Sequence, residues 1–423
     1  YMIALVDCNS FFCSVEKAFH PGLNGKPVCV LSSNDGCIIA LTPEAKAIGL
    51  HRGDPIYKVR DLVKYNNVAI FSTNMLLYAA MSRRVTNILR SFVNHVENYS
   101  IDESFCFLDG YETMYNLEDY MRMVVEKVKL YTDIPVSVGI AESRTLAKMG
   151  SKFAKNYKGY HSVCMIDTDE KRRKALSMME LSDVWGIGRR TLPKLDYYGV
   201  HTPLELADKK ETWIKSRFSL PMVQTWKELN GISCIDTSEV ANKQSICTSK
   251  SFGEYVTEID SLRAAVATFA ASSANKLRGQ NCVASAVTVF IMSNRFRDDL
   301  QQYKNGLTQT LPVPTSDTIE ITKAALQIVD DIYIKGICYK KAGVILSDIT
   351  KDTAVEQNLF DDIKNRPQRF KLMNTIDKLN HRYGLKSIKL AVEGADKEAW
   401  HSRSEHRSGN YISDINEIMT IRI

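Results

Sequence analysis

The first 165 residues alternate between short apolar runs typical of buried strands and amphipathic patterns typical of helices. The clearest helix is predicted at 74–93, where apolar residues recur at helical spacing: Leu77, Met81, Val85, Ile88 and Phe92. Further helices are predicted at 10–20, with Ser10 as its N-cap, and at 43–49, 117–128 and 144–155. Strands are predicted at 3–7, 27–31, 68–72 and 135–141, with two more around a turn within 96–108.

Strand signals disappear between 166 and 235, where short helices joined by glycine-containing turns are predicted. From 246 the pattern starts again and predicts a second β-α-β-β-α-β unit, with strands at 246–253, 283–292, 307–313 and 341–348 and helices at 260–278 and 317–334. A chain of 423 residues exceeds one ordinary core. We therefore expect a multidomain α+β protein whose first sheet is palm-like, with helices on one face.

Composition places the chain among globular proteins, with 44% hydrophobic and 25% charged residues. The longest apolar run, 282–292, is about half the roughly 20 residues that a membrane span needs, and no signal segment opens the chain. The ten cysteines form no CxxC pair, which favours reduced thiols and a cytoplasmic protein without a membrane partner. The net charge of +6 is compatible with nucleic-acid binding.

Three acidic residues stand among apolar neighbours: Asp7 ends the first strand, and Asp102 and Glu103 lie in the predicted hairpin. If the first strand neighbours the hairpin, the three carboxylates converge at one sheet edge, where they cannot all stay ionised without cations. Mg²⁺ suits such a set because it prefers oxygen ligands and keeps positions open for phosphates. The alternative is that Asp7 caps a helix and that Asp102 and Glu103 form a solvated turn.

Several motifs, in this order and spacing, resemble those of Y-family translesion DNA polymerases of the bacterial UmuC type, which act in the SOS response. They are "DCNSFFCSVE" (7–16), "KPVCVLSSNDGCIIA" (26–40), "GLHRGDPIYK" (49–58), "YSIDES" (99–104) and "VWGIGRR" (184–190). The resemblance extends over nearly the whole chain. It implies a right-hand polymerase with a palm, small fingers, a helical thumb and a little finger domain.

The domain boundaries implied by this resemblance follow the pattern changes above. They are palm 1–20 and 74–165, fingers 21–73, thumb 166–242, little finger 243–350, a linker at 351–369 and a UmuC-type tail at 370–423. The resemblance also implies small fingers and an open active site that accepts damaged template bases, and the about 50 residues of 21–73 fit small fingers.

By the same resemblance, Asp7 and Asp102 are the two main metal-binding aspartates and Glu103 the adjacent catalytic carboxylate. The backbone carbonyl of Cys8 joins them, and together they hold two Mg²⁺ ions.

Contacts to the incoming dNTP follow in the same way. Phe12 occupies the position of the steric gate, the ring that excludes a 2′-hydroxyl, and Phe11 the position before it; core packing is the alternative for both. Lys46 and Lys155 match residues that reach the triphosphate. Lys46 stands where many members have Arg, and Pro43 where many have a phosphate-contacting Tyr, so that contact should be absent.

Two segments are predicted to grip primer-template DNA. The pattern of 184–195 indicates a helix-hairpin-helix in which Gly186 and Gly188 let backbone N–H groups approach a phosphate, with charge from Arg189 and Arg190. In the second α+β unit, a strand offers phosphate contacts from Thr248, Ser249 and Lys250. An ordinary helical turn and a solvated strand are the alternatives.

Protein partners are implied by the resemblance alone: an accessory UmuD′-type dimer, a recombinase filament and a sliding clamp. The segment 356–362 resembles a clamp-binding peptide with Leu359 and Phe360 as anchors, although Glu356 stands where Gln is usual and Gln357 where Leu is usual.

The function expected is template-directed, error-prone synthesis past damaged bases by two-metal nucleotidyl transfer. A DNA-binding checkpoint factor that acts by occupying stalled forks is the alternative, although such a binder gains nothing from the carboxylates. A nucleotide cyclase on a similar palm is disfavoured by the DNA-gripping segments.

Overall fold

The computed structural model describes residues 2–236, 242–354, 365–384, 387–394, 400–412 and 414–419. The chain divides into two compact units. The first comprises Tyr1–Val240 and Glu405–Ile423, and the second comprises Ala241–Ser404.

The strands are β1 (Ile3–Cys8), β2 (Val28–Leu31), β3 (Ile38–Leu41), β4 (Ala69–Ser72), β5 (His95–Asn98), β6 (Glu103–Phe107), β7 (Val136–Ala141), β8 (Val163–Ile166), β9 (Ile246–Val256), β10 (Cys282–Ser293), β11 (Lys304–Thr315) and β12 (Tyr339–Lys351). The helices are α1 (Phe11–Phe19), α2 (Pro43–Ala47), α3 (Ile56–Tyr65), α4 (Met75–Phe92), α5 (Leu117–Thr132), α6 (Arg144–Asn156), α7 (Asp169–Met178), α8 (Leu192–Tyr197), α9 (Pro203–Ala207), α10 (Glu211–Lys215), α11 (Leu220–Leu229), α12 (Ile259–Arg278), α13 (Thr318–Ile332) and α14 (Arg366–Tyr383).

The main sheet of the first unit has the order β5-β6-β1-β7-β8, with β1 at its centre and antiparallel to β6 and β7. Ile3 and Leu5 belong to a core with α6 and the helices after it, whereas Ala4 and Val6 belong to a core with α1, α4 and α5. The prediction of helices on one face is therefore wrong, because helices cover both. The central strands are continuous apolar runs for this reason.

A smaller sheet, β3-β2-β4, lies in the same unit. Its strand β3 and the neighbouring helix α3 were not predicted. Ser10 does stand at the N-cap of α1, but its backbone is left-handed at φ 45° and its side chain makes no cap hydrogen bond, so the predicted capping interaction is wrong. The caps of α2 and α4 are made by Thr42, which accepts from the Ala45 N–H, and Asn74, which accepts from the Leu77 N–H.

The second unit contains the predicted β-α-β-β-α-β arrangement as a sheet of order β11-β10-β12-β9. Its core joins the sheet to α12 and α13. Helix α14 is attached through Arg278 on α12, whose guanidinium contacts Asp377 at 2.6 Å and 2.8 Å. Each strand thus packs one face on helices, which is the pattern of an independent α+β domain.

All ten cysteines are free thiols, and six of them are buried: Cys8, Cys13, Cys29, Cys106, Cys164 and Cys282. Within the described ranges, none of the helices combines the length and apolar character that crossing a bilayer would require.

Candidate active site

Asp7 lies opposite Glu103 where β1 ends and β6 begins. Because the two strands are antiparallel, the end of one stands beside the start of the other, and directly opposed residues have Cβ atoms about 4.5–5.5 Å apart. Asp102 is tied to the same place, since its carbonyl accepts from the Cys8 N–H at 2.9 Å. The fold therefore brings the three predicted carboxylates to one end of the two central strands.

Ser100 shapes the turn that presents Asp102. Its hydroxyl donates to Asp102 Oδ1 at 2.6 Å and accepts from the backbone N–H groups of Asp102 at 3.3 Å and Glu103 at 3.1 Å. A single side chain thus satisfies the turn backbone and orients one carboxylate, as short hydroxyl residues commonly do in turns.

Two lysines of α6 balance the carboxylates. Lys155 Nζ lies 2.7 Å from Asp7 Oδ1, and Lys148 Nζ lies 2.7 Å from Glu103 Oε1. Lys155 was predicted at this site, and Lys148 was not. The sequence signal for Lys148 is its spacing, because residues seven apart stand on the same face of a helix.

The electrostatic state of Asp7 reflects both neighbours and burial. Burial raises its pKa above the ordinary value of 3.8, contact with Lys155 lowers it, and the nearby charges of Glu103 and Asp102 raise it again, with a net upward shift. The ionised form of Asp7 is therefore destabilised in the folded protein, and additional positive charge nearby would stabilise it.

Lys148 is enclosed by aromatic rings. Its amine lies 4.5 Å from the centroid of the Tyr99 ring and 5.3 Å from that of Trp185, and these two rings meet edge to face at 5.5 Å. Such cation–π contacts hold an ammonium group in place. Since Trp185 begins the predicted helix-hairpin-helix turn, that turn packs directly on the lysine that contacts Glu103.

The donor set suits Mg²⁺, which binds carboxylate and carbonyl oxygens. Among the side chains the structure describes, no three acidic, histidine or cysteine groups are already gathered around one point as ligands. Asp7 and Glu103 each turn an oxygen to a lysine amine instead. An incoming ion would therefore replace an ammonium group as the partner of each carboxylate.

The candidate gate lies next to the carboxylates along the chain. Phe11 is buried in the core, as its alternative interpretation predicted. Phe12 is half-buried, and its ring stacks on Tyr78 with centroids 4.5 Å apart and an interplanar angle of 15°. Lys46 is exposed on α2. Of the two neighbouring phenylalanines, Phe11 is therefore a core residue, whereas Phe12 remains partly accessible.

The predicted DNA-gripping turn has the expected backbone at its first glycine. Gly186 has φ +94°, and a Cβ atom there would lie 2.3 Å from Thr225 Oγ1. Gly188 has open space around it, and Arg189 and Arg190 are exposed. The helix after the turn, α8, has only six residues. These exposed groups leave the turn accessible to a ligand.

Strand β9 is an edge of its sheet. Ser249 is exposed, whereas Thr248 and Lys250 are half-buried. Thr248 Oγ1 accepts from Ser273 Oγ at 2.8 Å and from Lys276 Nζ at 3.1 Å, and Lys250 lies 5.8 Å from the Trp400 ring. Of the three predicted DNA contacts, Ser249 is the most accessible. The predicted clamp anchors Leu359 and Phe360 lie outside the described residues.

Comparison with known proteins agrees with this geometry. The fold matches a chimera of the Y-family polymerases Dbh and Dpo4, with a TM-score of 0.65 and 18% identity over 83% of this chain and all of that one. An insertion ternary complex of Dbh DNA polymerase matches with a TM-score of 0.52. These matches show that the chain has the fold of the Y-family DNA polymerases.

Family models and full-length relatives narrow this class. The impB/mucB/samB family matches residues 6–152, its C-terminal domain matches 243–359, and a domain of unknown function, DUF4113, matches 371–421. Protein UmuC of Salmonella typhimurium is 37% identical over the full length of both chains, and Protein ImpB of the same organism is 38% identical over the full length of both. DNA polymerase IV 1 of Bacillus subtilis is 26% identical over 96% of this chain and 95% of its own. The chain belongs to the impB/mucB/samB family, and the predicted resemblance is confirmed.

The enzyme class expected from the sequence is confirmed with the family. The chain is a DNA-directed DNA polymerase of the translesion type. The alternative of a checkpoint factor that acts only by occupying forks is not favoured.

Proposed function

We propose that Asp7, Asp102 and Glu103 form the catalytic centre at which this polymerase extends a primer across damaged template. The observation that carries the proposal is the pairing of Asp7 with Glu103 across β1 and β6, with Asp102 tied to Cys8. Acidic residues on two central strands are fixed by the sheet itself, which gives the positional accuracy that catalysis needs.

The reaction joins the primer 3′-hydroxyl to the α-phosphate of a dNTP and releases pyrophosphate. Asp7, Asp102, Glu103 and the Cys8 carbonyl would hold two Mg²⁺ ions, which would supply positive charge beside the attacking and the leaving oxygen. The lysines of α6 have a second use in this scheme. Once parted from Asp7, the Lys155 ammonium group is free to contact the triphosphate, whose negative charge replaces that of the carboxylate.

Phe12 is proposed as the gate that selects the sugar. Its ring is half-buried and stacks on Tyr78, which would support it against the pressure of a 2′-hydroxyl. Lys46 is proposed to reach the triphosphate from α2. Because lysine is a point charge, it attracts the phosphates without the fixed two-point geometry of arginine.

The domain assignment follows the predicted boundaries. The five-stranded sheet is the palm (1–20 and 74–165), the three-stranded sheet with α2 and α3 belongs to the fingers (21–73), and helices α7 to α11 form the thumb (166–242). The second unit contains the little finger (243–350), the linker (351–369) and the start of the tail (370–423).

DNA is gripped through its backbone in this proposal. The turn at Gly186 and Gly188 with Arg189 and Arg190 contacts one phosphate run, and Thr248, Ser249 and Lys250 contact another. Contacts of this kind position the duplex without reading its sequence, which suits an enzyme that must accept any damaged site.

The cellular setting is proposed from the family. The enzyme acts in the cytoplasm during the SOS response, with an accessory UmuD′-type dimer, a recombinase filament, and a sliding clamp bound through Leu359 and Phe360.

Primer extension past an abasic site tests the assignment. The full chain, supplied with the accessory dimer and the filament, should lose extension when Asp102→Ala or Glu103→Ala is introduced. Asp109→Ala is the matched control, because Asp109 is an exposed acidic residue shortly after β6 and should leave extension intact. Extension retained by both site variants would refute the assignment.

A further inference from the structure

The C-terminal segment 405–412 packs on the first unit, beside strand β4. The Ser72 N–H donates to the His406 carbonyl at 3.0 Å, and the His406 N–H donates to Ser72 Oγ at 2.9 Å. Ser72 and Arg407 form a parallel bridge. Since β4 is the edge of the three-stranded sheet, the segment covers that edge through a single parallel bridge.

Three more contacts hold this segment in place. Asn74 Nδ2 donates to the Ser408 carbonyl at 2.9 Å, and the Glu405 N–H donates to Asp35 Oδ2 at 2.8 Å. The Tyr411 ring packs on Phe19 with centroids 5.1 Å apart. These contacts join residues that are more than 300 positions apart in the sequence, so the segment is held by specific tertiary bonds.

Ser408 leads from this segment to the gate. Its hydroxyl donates to Glu16 Oε1 at 2.9 Å, and the same oxygen accepts from the Tyr78 hydroxyl at 2.6 Å. The Tyr78 ring is the surface on which Phe12 stacks. A continuous path of direct contacts therefore runs from Ser408 through Glu16 and Tyr78 to Phe12.

The middle of this path is buried and depends on its donors. Glu16 and Tyr78 are both 0% exposed. Glu16 Oε2 has no hydrogen-bond partner in the described part of the chain. The hydrogen bonds that the carboxylate accepts there are the two at Oε1, from Tyr78 and Ser408. A buried carboxylate that loses a donor must shift or recruit another partner, because an unsatisfied buried polar group is costly.

We propose that Ser408 is a positioning residue for sugar selection, which holds the Phe12 ring through Glu16 and Tyr78. The inference rests on the proposed gate function of Phe12. It gives the end of the domain of unknown function a role in the palm: the C-terminal segment completes the support behind the gate.

A steric gate works only if it does not yield. Excluding a hydroxyl depends on a ring that stays in place when a bulkier sugar presses on it, and a close-packed, hydrogen-bonded backing resists this displacement. Weakening the backing should therefore admit ribonucleotides while leaving deoxyribonucleotides almost unaffected.

The test is the ratio of kcat/KM for a dNTP to that for the rNTP with the same base, measured on undamaged template. It uses the full chain with the accessory dimer and filament. Ser408→Ala should lower the ratio about fivefold, the factor that one hydrogen bond of about 1 kcal/mol corresponds to, mainly through faster rNTP incorporation. Ser408→Thr keeps the hydroxyl and should restore the ratio. Ser404→Ala is the control, because Ser404 is exposed and its hydroxyl donates to the neighbouring carbonyl of Arg403, with no other bond to a described residue.

Tyr78→Phe provides a second route, because it keeps the stacked ring and removes the hydroxyl that reaches Glu16. It should also lower the dNTP/rNTP ratio. In the double variant with Ser408→Ala, the fold decrease of the ratio should be smaller than the product of the two single decreases, since both residues act on one carboxylate.

Phe12→Ala separates this inference from the proposed gate. If Phe12→Ala abolishes selectivity while Ser408→Ala and Tyr78→Phe leave it unchanged, the gate stands and the inference is overturned. The inference would also be overturned if Ser408→Ala and Tyr78→Phe lowered kcat/KM equally for dNTP and rNTP, because equal losses indicate a structural role only. If Phe12→Ala itself keeps full selectivity, the gate assignment and this inference fail together.

Discussion

Lys148 and Lys155 stand seven residues apart on α6, and each amine lies 2.7 Å from a different carboxylate at the edge of the central sheet. The helix thus carries two positive charges at the spacing of the two acidic strand ends. If the proposed divalent ions bind here, they would replace the lysine ammonium groups as partners of the carboxylates, and the lysines would then compete with the ions.

Removing Lys148 should tighten Mg²⁺ binding. Lys148→Ala takes away the cation that competes for Glu103, so the Mg²⁺ concentration giving half-maximal binding in a calorimetric titration should fall about fivefold, the equivalent of a charged pair of ~1 kcal/mol. Lys152→Ala is the control, because Lys152 lies on the same helix but pairs with Asp183. Weaker Mg²⁺ binding by Lys148→Ala would contradict this view of the lysine.

Neutralising Asp7 should stabilise the metal-free protein. Burial raises the pKa of Asp7 above 3.8, so folding favours its neutral form. The stability that Asp7 contributes is therefore complete below pH 3.8, and it is lost as the pH rises through the raised pKa of the folded state. Asp7→Asn should therefore raise the melting temperature at pH 7 in the presence of EDTA, and the gain should shrink as the pH is lowered. Added Mg²⁺ should stabilise the wild type and not the variant. A lower melting temperature for Asp7→Asn at pH 7 would show that the contact with Lys155 outweighs burial.

Gly139 should tolerate no side chain. It lies on β7, where α6 passes so closely that an added Cβ would be 2.0 Å from the Ala147 carbonyl and 2.1 Å from the Ser151 nitrogen. Gly139→Ala must push α6 and its two lysines outward, and it should lower the free energy of unfolding by about 3 kcal/mol, the upper end of typical overpacking costs. Urea denaturation measures this. Gly159→Ala is the matched control, because no atom lies within 4 Å of the Cβ it would add.

Helix α14 should detach in acid. Burial raises the pKa of Asp377, but its hydrogen bonds with Arg278 and Asn275 outweigh burial and leave it below 3.8. The pair therefore stabilises the helix above pH 3.8, and this contribution is lost as the pH falls through the lowered value.

The same pair can be broken by mutation. Asp377→Ala leaves the buried Arg278 without its carboxylate partner, a loss that typically costs about 3–5 kcal/mol, and amide hydrogen exchange in Arg366–Tyr383 should accelerate accordingly. Asp330→Ala removes an exposed pair with Arg263 and should change little. Unchanged exchange in the Asp377 variant would mean that α14 is held by other contacts.

The sequence was informative wherever local pattern and chemistry coincided. Asp7, Asp102 and Glu103 could be found because acidic residues interrupt apolar strands, and the β-α-β-β-α-β unit because its elements follow each other in order. Lys148 was missed because a lysine on a helix is usually solvated, and its spacing of seven from Lys155 was the one signal that pointed to it. The bond between Ser408 and Glu16 spans 392 positions, and no periodic pattern reports such a contact. The second helical layer was missed because a fully buried strand does not show which elements cover it.

Strand β1 alternates its side chains between two separate hydrophobic cores before it reaches Asp7, its second-last residue. Asp7, proposed above as a catalytic residue, is therefore anchored by both cores, and repacking either core should move it. A random mutagenesis screen for slow polymerase variants should accordingly return substitutions from both sides of the sheet, many of them distant from any nucleotide.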